Sequence, residues 1–324
     1  MKLSFDEIKN IVFGAEQILQ REGYFCFHRF TESEKAAYSD SADFTRKTNA
    51  TSSIRLDFCT DAKVLSFDYK MMNASSRDFV SFDIFINGIF SDTVTYTDAE
   101  AEIIGNYTKT LPEGKKRITI FLPNLYSMQI KNFVLEDVAF LKSYKHKTKI
   151  VSYGDSITQG YDARISSNSY INQLSYMLDG FVCNKAIGGD IFRPVLIEEK
   201  TFSPDIVTVA YGTNDWSKCS KEEFVRNMSS FIENIAANYK DSKIFVITPI
   251  WRKDNQKSVQ FGTFDEMVTL ISNECIKYEN INVIKGQDIL PHSDLLYKKD
   301  GLHPNDMGML LYSSNLYREM LKVL

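Results

Sequence analysis

The two parts of this 324-residue chain have different hydrophobic periodicities, and this difference limits the possible folds more than any other feature. From about residue 24 to residue 140, short runs rich in Phe, Val, Ile, Thr and Tyr alternate apolar and polar residues, as in "KVLSFDYK" and "FVSFDIFING". Such runs are typical of half-buried strands, and turn formers such as Asn87-Gly88 separate them. We therefore predict a jelly-roll-like antiparallel β-sandwich of seven or eight strands without intervening helices.

The pattern changes after "KSYKHKTK", residues 142–149, a basic run typical of a solvated linker. The runs "KIVSYG", "FVCNKA", "DIVTVAYG", "KIFVITP" and "INVIKG" are continuously apolar, which is typical of strands buried in a parallel sheet. Helical stretches follow the runs near residues 168–179, 220–239, 263–279 and 304–322. This order predicts a flavodoxin-like, doubly wound α/β domain with its ligand site at the carboxyl ends of the strands. The predicted domains are residues 1–145 and 146–324.

The N-terminal segment begins with a helix signal. In "SFDE", residues 4–7, a Ser is followed three positions later by Glu, which is the capping-box pattern. Apolar residues partly fit a helical period as far as residue 22, and we expect a short helix here: Ile8, Ile11, Val12, Ile18 and Leu19. Charges interrupt the segment, so it does not resemble a secretory signal, and we expect a cytoplasmic protein.

The composition excludes several classes of protein. Hydrophobic residues make up 44% of the chain and charged residues 25%, as in globular proteins. The net charge is -4 and no domain is dominated by Lys and Arg, which argues against a nucleic-acid partner. No run approaches the roughly 20 apolar residues of a membrane-spanning helix, so we expect no membrane partner. The five cysteines are scattered without a CxxC pair, which argues against a disulfide framework or a zinc site.

Polar residues collect after the predicted parallel strands, where a crevice is expected. The four clusters are "YGDSIT" at 153–158, "NKAIGGD" at 184–190, "AYGTNDW" at 210–216 and "DGLHP" at 300–304. A serine hydroxyl becomes a good nucleophile when a base removes its proton, and the base needs a group that holds its ring. Ser156 is the candidate nucleophile and His303 the candidate base. Asp300, three residues before His303, is the candidate orienting acid.

Acyl transfer also needs donors for the oxyanion of the tetrahedral intermediate. The candidates are the backbone N–H of Ser156, the backbone N–H of Gly189 and the side-chain amide of Asn214. Gly188 is adjacent to Gly189 and is an alternative donor, but we favour Gly189. Asp155 is expected to be a structural hydrogen-bonding residue beside the nucleophile.

Taken in this order, the four clusters resemble the SGNH (GDSL-type) hydrolases, which are esterases named for a Ser, a Gly, an Asn and a His in four separate blocks. The resemblance covers about residues 148–324. It implies a serine esterase with the roles given above for Ser156, His303 and Asp300. It also implies that the block from Asn184 to Gly189 supplies the oxyanion glycine.

Other sites have weaker support in the sequence. His292 with Asp294 is the rival to His303 as base, but it lacks the DxxH spacing and the family match. The acidic segment "DGLHPND" lacks the ligand rhythm of a calcium loop, and "AIGGD" is not a dinucleotide-binding GxGxxG. We therefore expect no metal and no cofactor.

The domain order narrows the substrate class. A β-sandwich before an SGNH core resembles bacterial carbohydrate esterases that remove acetyl groups from sugars. Tyr161, Trp216 and Trp251 follow strand ends and could form a wall for a sugar, although ordinary packing is an equally good reading of each. We predict an esterase for O-acetyl esters of carbohydrates or small glycosides. The alternatives are a lysophospholipase or thioesterase of the same fold, and a carbohydrate-binding protein with an inactive hydrolase core.

Overall fold

The structure is a computed structural model and describes residues 1–197 and 202–324. The chain divides into two compact units, Met1–His146 with Arg164–Ser167, and Lys147–Ala163 with Asn168–Leu324. The backbone N–H of Ser166 donates to Ser81 Oγ at 2.7 Å, which ties the short segment Arg164–Ser167 to the first unit.

The first unit is built from two antiparallel sheets, which confirms the predicted β-sandwich. Its strands are β1 (Val12–Phe13), β2 (Gln17–Arg21), β3 (Tyr24–His28), β4 (Arg55–Thr60), β5 (Val64–Asn73), β6 (Val80–Ile86), β7 (Ile89–Tyr96), β8 (Glu102–Thr110), β9 (Lys116–Phe121), β10 (Tyr126–Glu136) and β11 (Leu141–Ser143). One sheet has the order β1-β4-β9-β6-β7 with β11 on β4, and the other β2-β3-β10-β5-β8. Alternate side chains of β5 are buried, as the sequence pattern predicted.

Three helices accompany these strands, so the expectation of a sandwich without helices was wrong. They are α1 (Phe5–Ile11), α2 (Glu32–Ala36) and α3 (Ala42–Lys47). The predicted capping box of α1 is confirmed, because Ser4 Oγ accepts the Glu7 N–H and the Glu7 carboxylate accepts the Ser4 N–H. The helical pattern does not continue to residue 22. Val12 has an extended backbone, with a φ of -92° and a ψ of 135°, which ends the helix after Ile11, and Ile18 lies in strand β2.

A buried ionic cluster lies in the sheet that contains β4 and β9. The Asp57 carboxylate has no solvent exposure and accepts hydrogen bonds from Arg117 at 2.8 and 2.6 Å and from Thr119 at 3.1 Å. His146 Nε2 lies 3.3 Å from the same carboxylate. Burial by itself would raise the pKa of Asp57, but the hydrogen bonds from Arg117 and His146 outweigh it and lower the pKa. Asp57 is therefore a charged residue whose burial depends on its partners.

The second unit contains a five-stranded parallel sheet. Its strands are β12 (Thr148–Gly154), β13 (Gly180–Asn184), β14 (Ile206–Ala210), β15 (Lys243–Ile247) and β16 (Ile281–Ile284). The order across the sheet is β13-β12-β14-β15-β16. This is the 2-1-3-4-5 order of flavodoxin-like domains, so the predicted α/β fold is confirmed.

Seven helices of this unit are described. They are α4 (Ser156–Gln159), α5 (Tyr170–Met177), α6 (Thr213–Lys218), α7 (Lys221–Asn238), α8 (Phe264–Cys275), α9 (Gly286–Ile289) and α10 (Asp306–Met320). The four predicted helices correspond to α5, α7, α8 and α10. Ser220 caps α7 through a hydrogen bond from the Glu223 N–H, as expected. Within the ranges that the structure covers, every helix is too short or too polar to cross a membrane.

The ionic cluster leads to a prediction about stability. Asp57→Ala leaves the Arg55 side chain, which is 2% exposed and lies 3.6 Å from the carboxylate, buried without this partner, so we expect the free energy of unfolding to fall by about 3–5 kcal/mol. Glu319→Ala removes a carboxylate whose side chain is 41% exposed and which pairs with the exposed Lys322, and this should cost no more than about 1 kcal/mol. Urea denaturation followed by far-UV circular dichroism measures both changes. Equal losses in the two variants would contradict the role assigned to the cluster.

Candidate active site

Ser156 lies at a sharp turn between strand β12 and helix α4. Asp155 caps the helix, because its carboxylate accepts the Ile157 N–H at 3.0 Å. Gly154 precedes it, and a Cβ atom at this position would overlap the Thr158 side chain and lie 3.0 Å from the Ala210 carbonyl oxygen. The "GDS" sequence therefore supplies a residue without a side chain, a cap and a hydroxyl, in that order.

Three predicted side chains meet at this turn. Ser156 Oγ lies 2.8 Å from His303 Nε2, although the two residues are 147 positions apart in the chain. His303 Nδ1 lies 2.6 Å from Asp300 Oδ2. Asp300 Oδ1 accepts the backbone N–H groups of Leu302 at 2.9 Å and His303 at 3.1 Å, so one short loop fixes both the acid and the imidazole.

The charge of Asp300 determines the tautomer of His303. Burial by itself would raise the pKa of Asp300, but the hydrogen bonds from the His303 ring and from the backbone N–H groups hold it well below its usual range. A carboxylate accepts hydrogen bonds only, so Nδ1 carries the ring proton in the neutral imidazole. Nε2 is then the acceptor for the Ser156 hydroxyl.

Two neighbouring glycines differ in their hydrogen bonding. The Gly188 N–H donates to Gln159 Oε1 at 2.6 Å, so it is already in use. Gly189 has a φ of 90°, and no described residue accepts its N–H. This difference favours Gly189 over Gly188 as an oxyanion donor.

Asn214 and Ser156 offer further donors. One N–H of the Asn214 amide donates to the Asp190 carbonyl oxygen at 3.0 Å, and an amide has a second N–H to give. Ser156 is the first residue of α4, where backbone N–H groups have no partner within the helix.

A buried acid, Asp215, supports these loops, and we assigned it no role from the sequence. Asp215 Oδ1 accepts the Phe192 N–H at 3.0 Å and Asp215 Oδ2 accepts the Gly212 N–H at 3.1 Å, so it connects the segment just after the second cluster to the third cluster. Burial raises the pKa of Asp215 to about 7 and that of Asp155 to about 6. Asp215 follows Asn214 in "GTND". A carboxylate at the start of a helix can accept backbone N–H groups, and this was the sequence signal that could have identified Asp215.

The three aromatic residues singled out in the sequence lie in different surroundings. Trp216 is 1% exposed, and its indole N–H donates to the Gly262 carbonyl oxygen, so it packs in the interior. Trp251 stacks on His292 with ring centroids 3.8 Å apart. Tyr161 stacks beside His303 at 6.0 Å and is the one of the three that adjoins the imidazole. The rival base His292 is exposed, and the imidazole on Ser156 belongs to His303.

A second carboxylate, which the sequence reading did not single out, lies beside His303. Asp162 Oδ2 is 3.5 Å from His303 Nδ1. Asp162, Asp300 and His303 offer ligand atoms within 4.8 Å of one another, so these are the residues that could hold a cation. The 2.6 Å distance between His303 Nδ1 and Asp300 is that of a charge-assisted hydrogen bond, and a cation on Nδ1 would replace this proton.

Known protein families and solved structures resemble this chain. Residues 152–311 match the GDSL-like Lipase/Acylhydrolase family. No curated protein sequence matches the chain. A salicylyl-acyltransferase from a tetracycline biosynthetic pathway has a similar structure, with 20% identity, a TM-score of 0.82 and coverage of 97% of this chain and 95% of that chain.

Two further solved structures are similar. One is a family two carbohydrate esterase from Clostridium thermocellum in complex with cellohexaose, with 18% identity, a TM-score of 0.66 and coverage of 84% and 93% of the two chains. The other is an acetyl xylan esterase from the rumen bacterium Butyrivibrio proteoclasticus, with 14% identity, a TM-score of 0.62 and coverage of 83% and 89%. These likenesses concern the fold. Residues 152–311 are therefore a GDSL-like lipase/acylhydrolase region, which supports an ester hydrolase.

Proposed function

We propose that this protein hydrolyses O-acetyl esters of carbohydrates or small glycosides, with Ser156 as nucleophile, His303 as general base and Asp300 as the residue that orients His303. The observation that carries the proposal is the pair of consecutive hydrogen bonds, 2.8 Å from Ser156 to His303 and 2.6 Å from His303 to Asp300. A hydroxyl on a base that is itself held by a carboxylate is the arrangement that activates serine for acyl transfer.

The reaction proceeds in two halves. Ser156 Oγ attacks the acetyl carbonyl carbon while His303 Nε2 takes the hydroxyl proton, which gives a tetrahedral oxyanion. The C–O bond to the sugar then breaks, the leaving oxygen takes the proton from Nε2, and an acetyl-serine remains. In the second half, His303 takes a proton from water, the hydroxide attacks the acetyl-serine, and acetate leaves as Ser156 regains its proton.

The oxyanion is stabilised by donors that are in place before the reaction starts. The proposed donors are the N–H groups of Ser156 and Gly189 and the second N–H of the Asn214 amide. Two side-chain contacts hold these loops: Asp215 bonds to the backbone on both sides, and Lys218 Nζ donates to the Gly189 carbonyl oxygen at 2.6 Å. Donors held in this way cost little reorganisation when the charge develops.

The acetyl and sugar preferences draw support from two sources. The similar structures include a carbohydrate esterase with bound cellohexaose and an acetyl xylan esterase. Tyr161, 3% exposed and stacked beside His303, supplies an aromatic ring close to the reacting groups. We keep Tyr161 as the proposed substrate neighbour because its ring stacks beside His303, whereas the Trp216 indole N–H donates to the Gly262 carbonyl oxygen and Trp251 stacks on His292.

A second outcome of the same acyl-enzyme is transfer to an alcohol. The similarity to a salicylyl-acyltransferase over 97% of this chain favours testing it. An acceptor hydroxyl would replace water in the second half of the reaction, with His303 again taking the proton.

The first prediction from this proposed function concerns the nucleophile. Ser156→Ala removes the attacking oxygen, so we expect hydrolysis of p-nitrophenyl acetate to fall by about 10³-fold or more and labelling by a fluorophosphonate to disappear. Ser272→Ala is the control, because that hydroxyl donates to the Val268 carbonyl oxygen within helix α8 and should leave both measurements unchanged. If Ser156→Ala kept its activity, the nucleophile assignment would be wrong. Absence of turnover and of labelling in the unmodified protein would favour the carbohydrate-binding alternative.

The second prediction concerns the oxyanion. Asn214→Ala should lower kcat by about 10²–10³-fold with little change in KM, because the amide would act mainly in the transition state. Asn282→Ala is a matched control, since its amide also donates to a backbone carbonyl, that of Ile244, at 3.2 Å. Steady-state kinetics on p-nitrophenyl acetate measures both variants. Similar kcat values for the two would remove Asn214 from the oxyanion site.

The third prediction concerns the acyl group and the acceptor. We expect kcat/KM to be highest for acetyl esters in a series from acetyl to decanoyl, and acetate to be released from acetylated oligosaccharides. A maximum at long chains would favour the lysophospholipase or thioesterase alternative instead. Adding an alcohol to the same assays measures transfer, and an acetylated alcohol formed faster than acetate would identify an acyltransferase.

A further inference from the structure

The imidazole of His303 faces two carboxylates. Asp300 Oδ2 lies 2.6 Å from Nδ1 and accepts a hydrogen bond from Nδ1–H, while Asp162 Oδ2 lies 3.5 Å from the same nitrogen. The longer distance exceeds that of a strong hydrogen bond but is well within ion-pair range. Because like charges repel, two carboxylates this close are favourable when a cation lies between them. The imidazolium that forms during catalysis is such a cation.

The backbone of Asp162 adopts a strained conformation. Its φ is 66°, a left-handed conformation that non-glycine residues seldom adopt. Six Asp and Asn residues with positive φ are found in the described ranges, and the others are exposed or half-buried: Asn87, Asp98, Asn132, Asp137 and Asp179. Asp162 is 5% exposed, so a strained backbone and a buried charge occur together at this residue. Such a combination, next to reacting groups, points to a role in function.

The local chain path explains how Asp162 reaches His303. Gly160 has a φ of 100° and ends helix α4, and the N–H of Tyr161 donates back to the Ser156 carbonyl oxygen at 2.9 Å. The chain therefore turns over the nucleophile and places Tyr161 and Asp162 at the imidazole. The ring of Tyr161 stacks on His303, and the carboxylate of Asp162 reaches Nδ1.

The two carboxylates differ in their access to solvent. The Asp300 side chain is 40% exposed, whereas that of Asp162 is 7% exposed. A charge in a buried position is less screened, so its attraction for the imidazolium is stronger at a given distance.

We propose that Asp162 is a second positioning residue for His303, which stabilises the imidazolium by its charge and accepts the hydrogen bond from Nδ1–H when Asp300 cannot. This inference rests on the proposed roles of Ser156 and His303 and adds a residue to them. The sequence pattern of the family's blocks did not indicate this role of Asp162, because Asp162 lies six residues after Ser156 and outside the "DGLHP" segment.

The test uses substitutions chosen to preserve the backbone. Asp162→Gly removes the carboxylate at a φ that glycine adopts freely, so the thermal midpoint should not fall, whereas kcat should fall about 10-fold with KM within about 2-fold. Asp179→Gly is the matched control, since it makes the same change at a φ of 47° and should leave kcat unchanged. An unchanged kcat in Asp162→Gly would overturn the proposal, and so would a fall in kcat accompanied by a clearly lower thermal midpoint.

A double-substitution cycle tests the shared role. Asp300→Ser keeps an oxygen for the backbone N–H groups of the loop but is too short to reach Nδ1. If each carboxylate replaces the other, the variant with both changes should lose at least about 10-fold more kcat than the product of the two single losses. Losses that simply multiply would contradict the shared role.

A measurement independent of activity separates this inference from the proposed function. The downfield proton resonance of His303 Nδ1–H should persist in Asp300→Ser, because Asp162 then accepts the hydrogen bond from Nδ1–H, and should vanish in the double variant. Its disappearance in Asp300→Ser alone, with the fold intact, would overturn the inference while hydrolysis could still depend on Ser156. Conversely, activity that survives Ser156→Ala would refute the proposed function without altering this resonance.

Discussion

The hydrogen bond between Ser156 and His303 joins two distant parts of the chain, and the chemistry proposed here depends on it. It spans 2.8 Å between residues that are 147 positions apart, one at the end of the first parallel strand and the other before the last helix. Neither partner is reactive alone. The serine needs a base, and the base needs the tautomer that Asp300 imposes through the 2.6 Å contact at Nδ1. The surrounding loops can be understood by what they do for these bonds.

The parallel sheet provides the common edge where the loops meet. Strand β12 delivers Ser156, β13 leads to Gly189 and β14 leads to Asn214, and these three strands are neighbours in the sheet. Polar side chains contribute to holding these loops. Asp155 caps α4, Asp215 bonds to the backbone on two segments, and Gln159 takes the Gly188 N–H. Burial raises the pKa of Asp155 and Asp215, which reflects how closely the protein surrounds this edge.

Sequence reasoning correctly predicted the features that depend on short-range patterns of residue types. The change of periodicity near residue 146 predicted an antiparallel β-sandwich followed by a parallel sheet, and the DxxH spacing predicted that Asp300 and His303 share a loop. It failed where an outcome depends on competition between distant parts of the chain. Ile18 fits a helical period but lies in β2, paired with β3.

Two features of the site were also beyond the sequence pattern. Asp162 reaches His303 because Gly160 and Asp162 both adopt positive φ, and a local pattern of residue types does not specify that path. The position of an aromatic residue after a strand end also did not predict its contacts. Trp216 and Tyr161 both follow strand ends, but of these two only the ring of Tyr161 stacks beside His303.

The central claim is that Ser156 receives the acyl group. The most direct measurement is peptide mass mapping of the protein quenched with acid during turnover of p-nitrophenyl acetate. The account predicts one acetyl group, on the peptide that contains Ser156. Acetylation at another residue in place of Ser156, or turnover without any acetylated peptide, would contradict it.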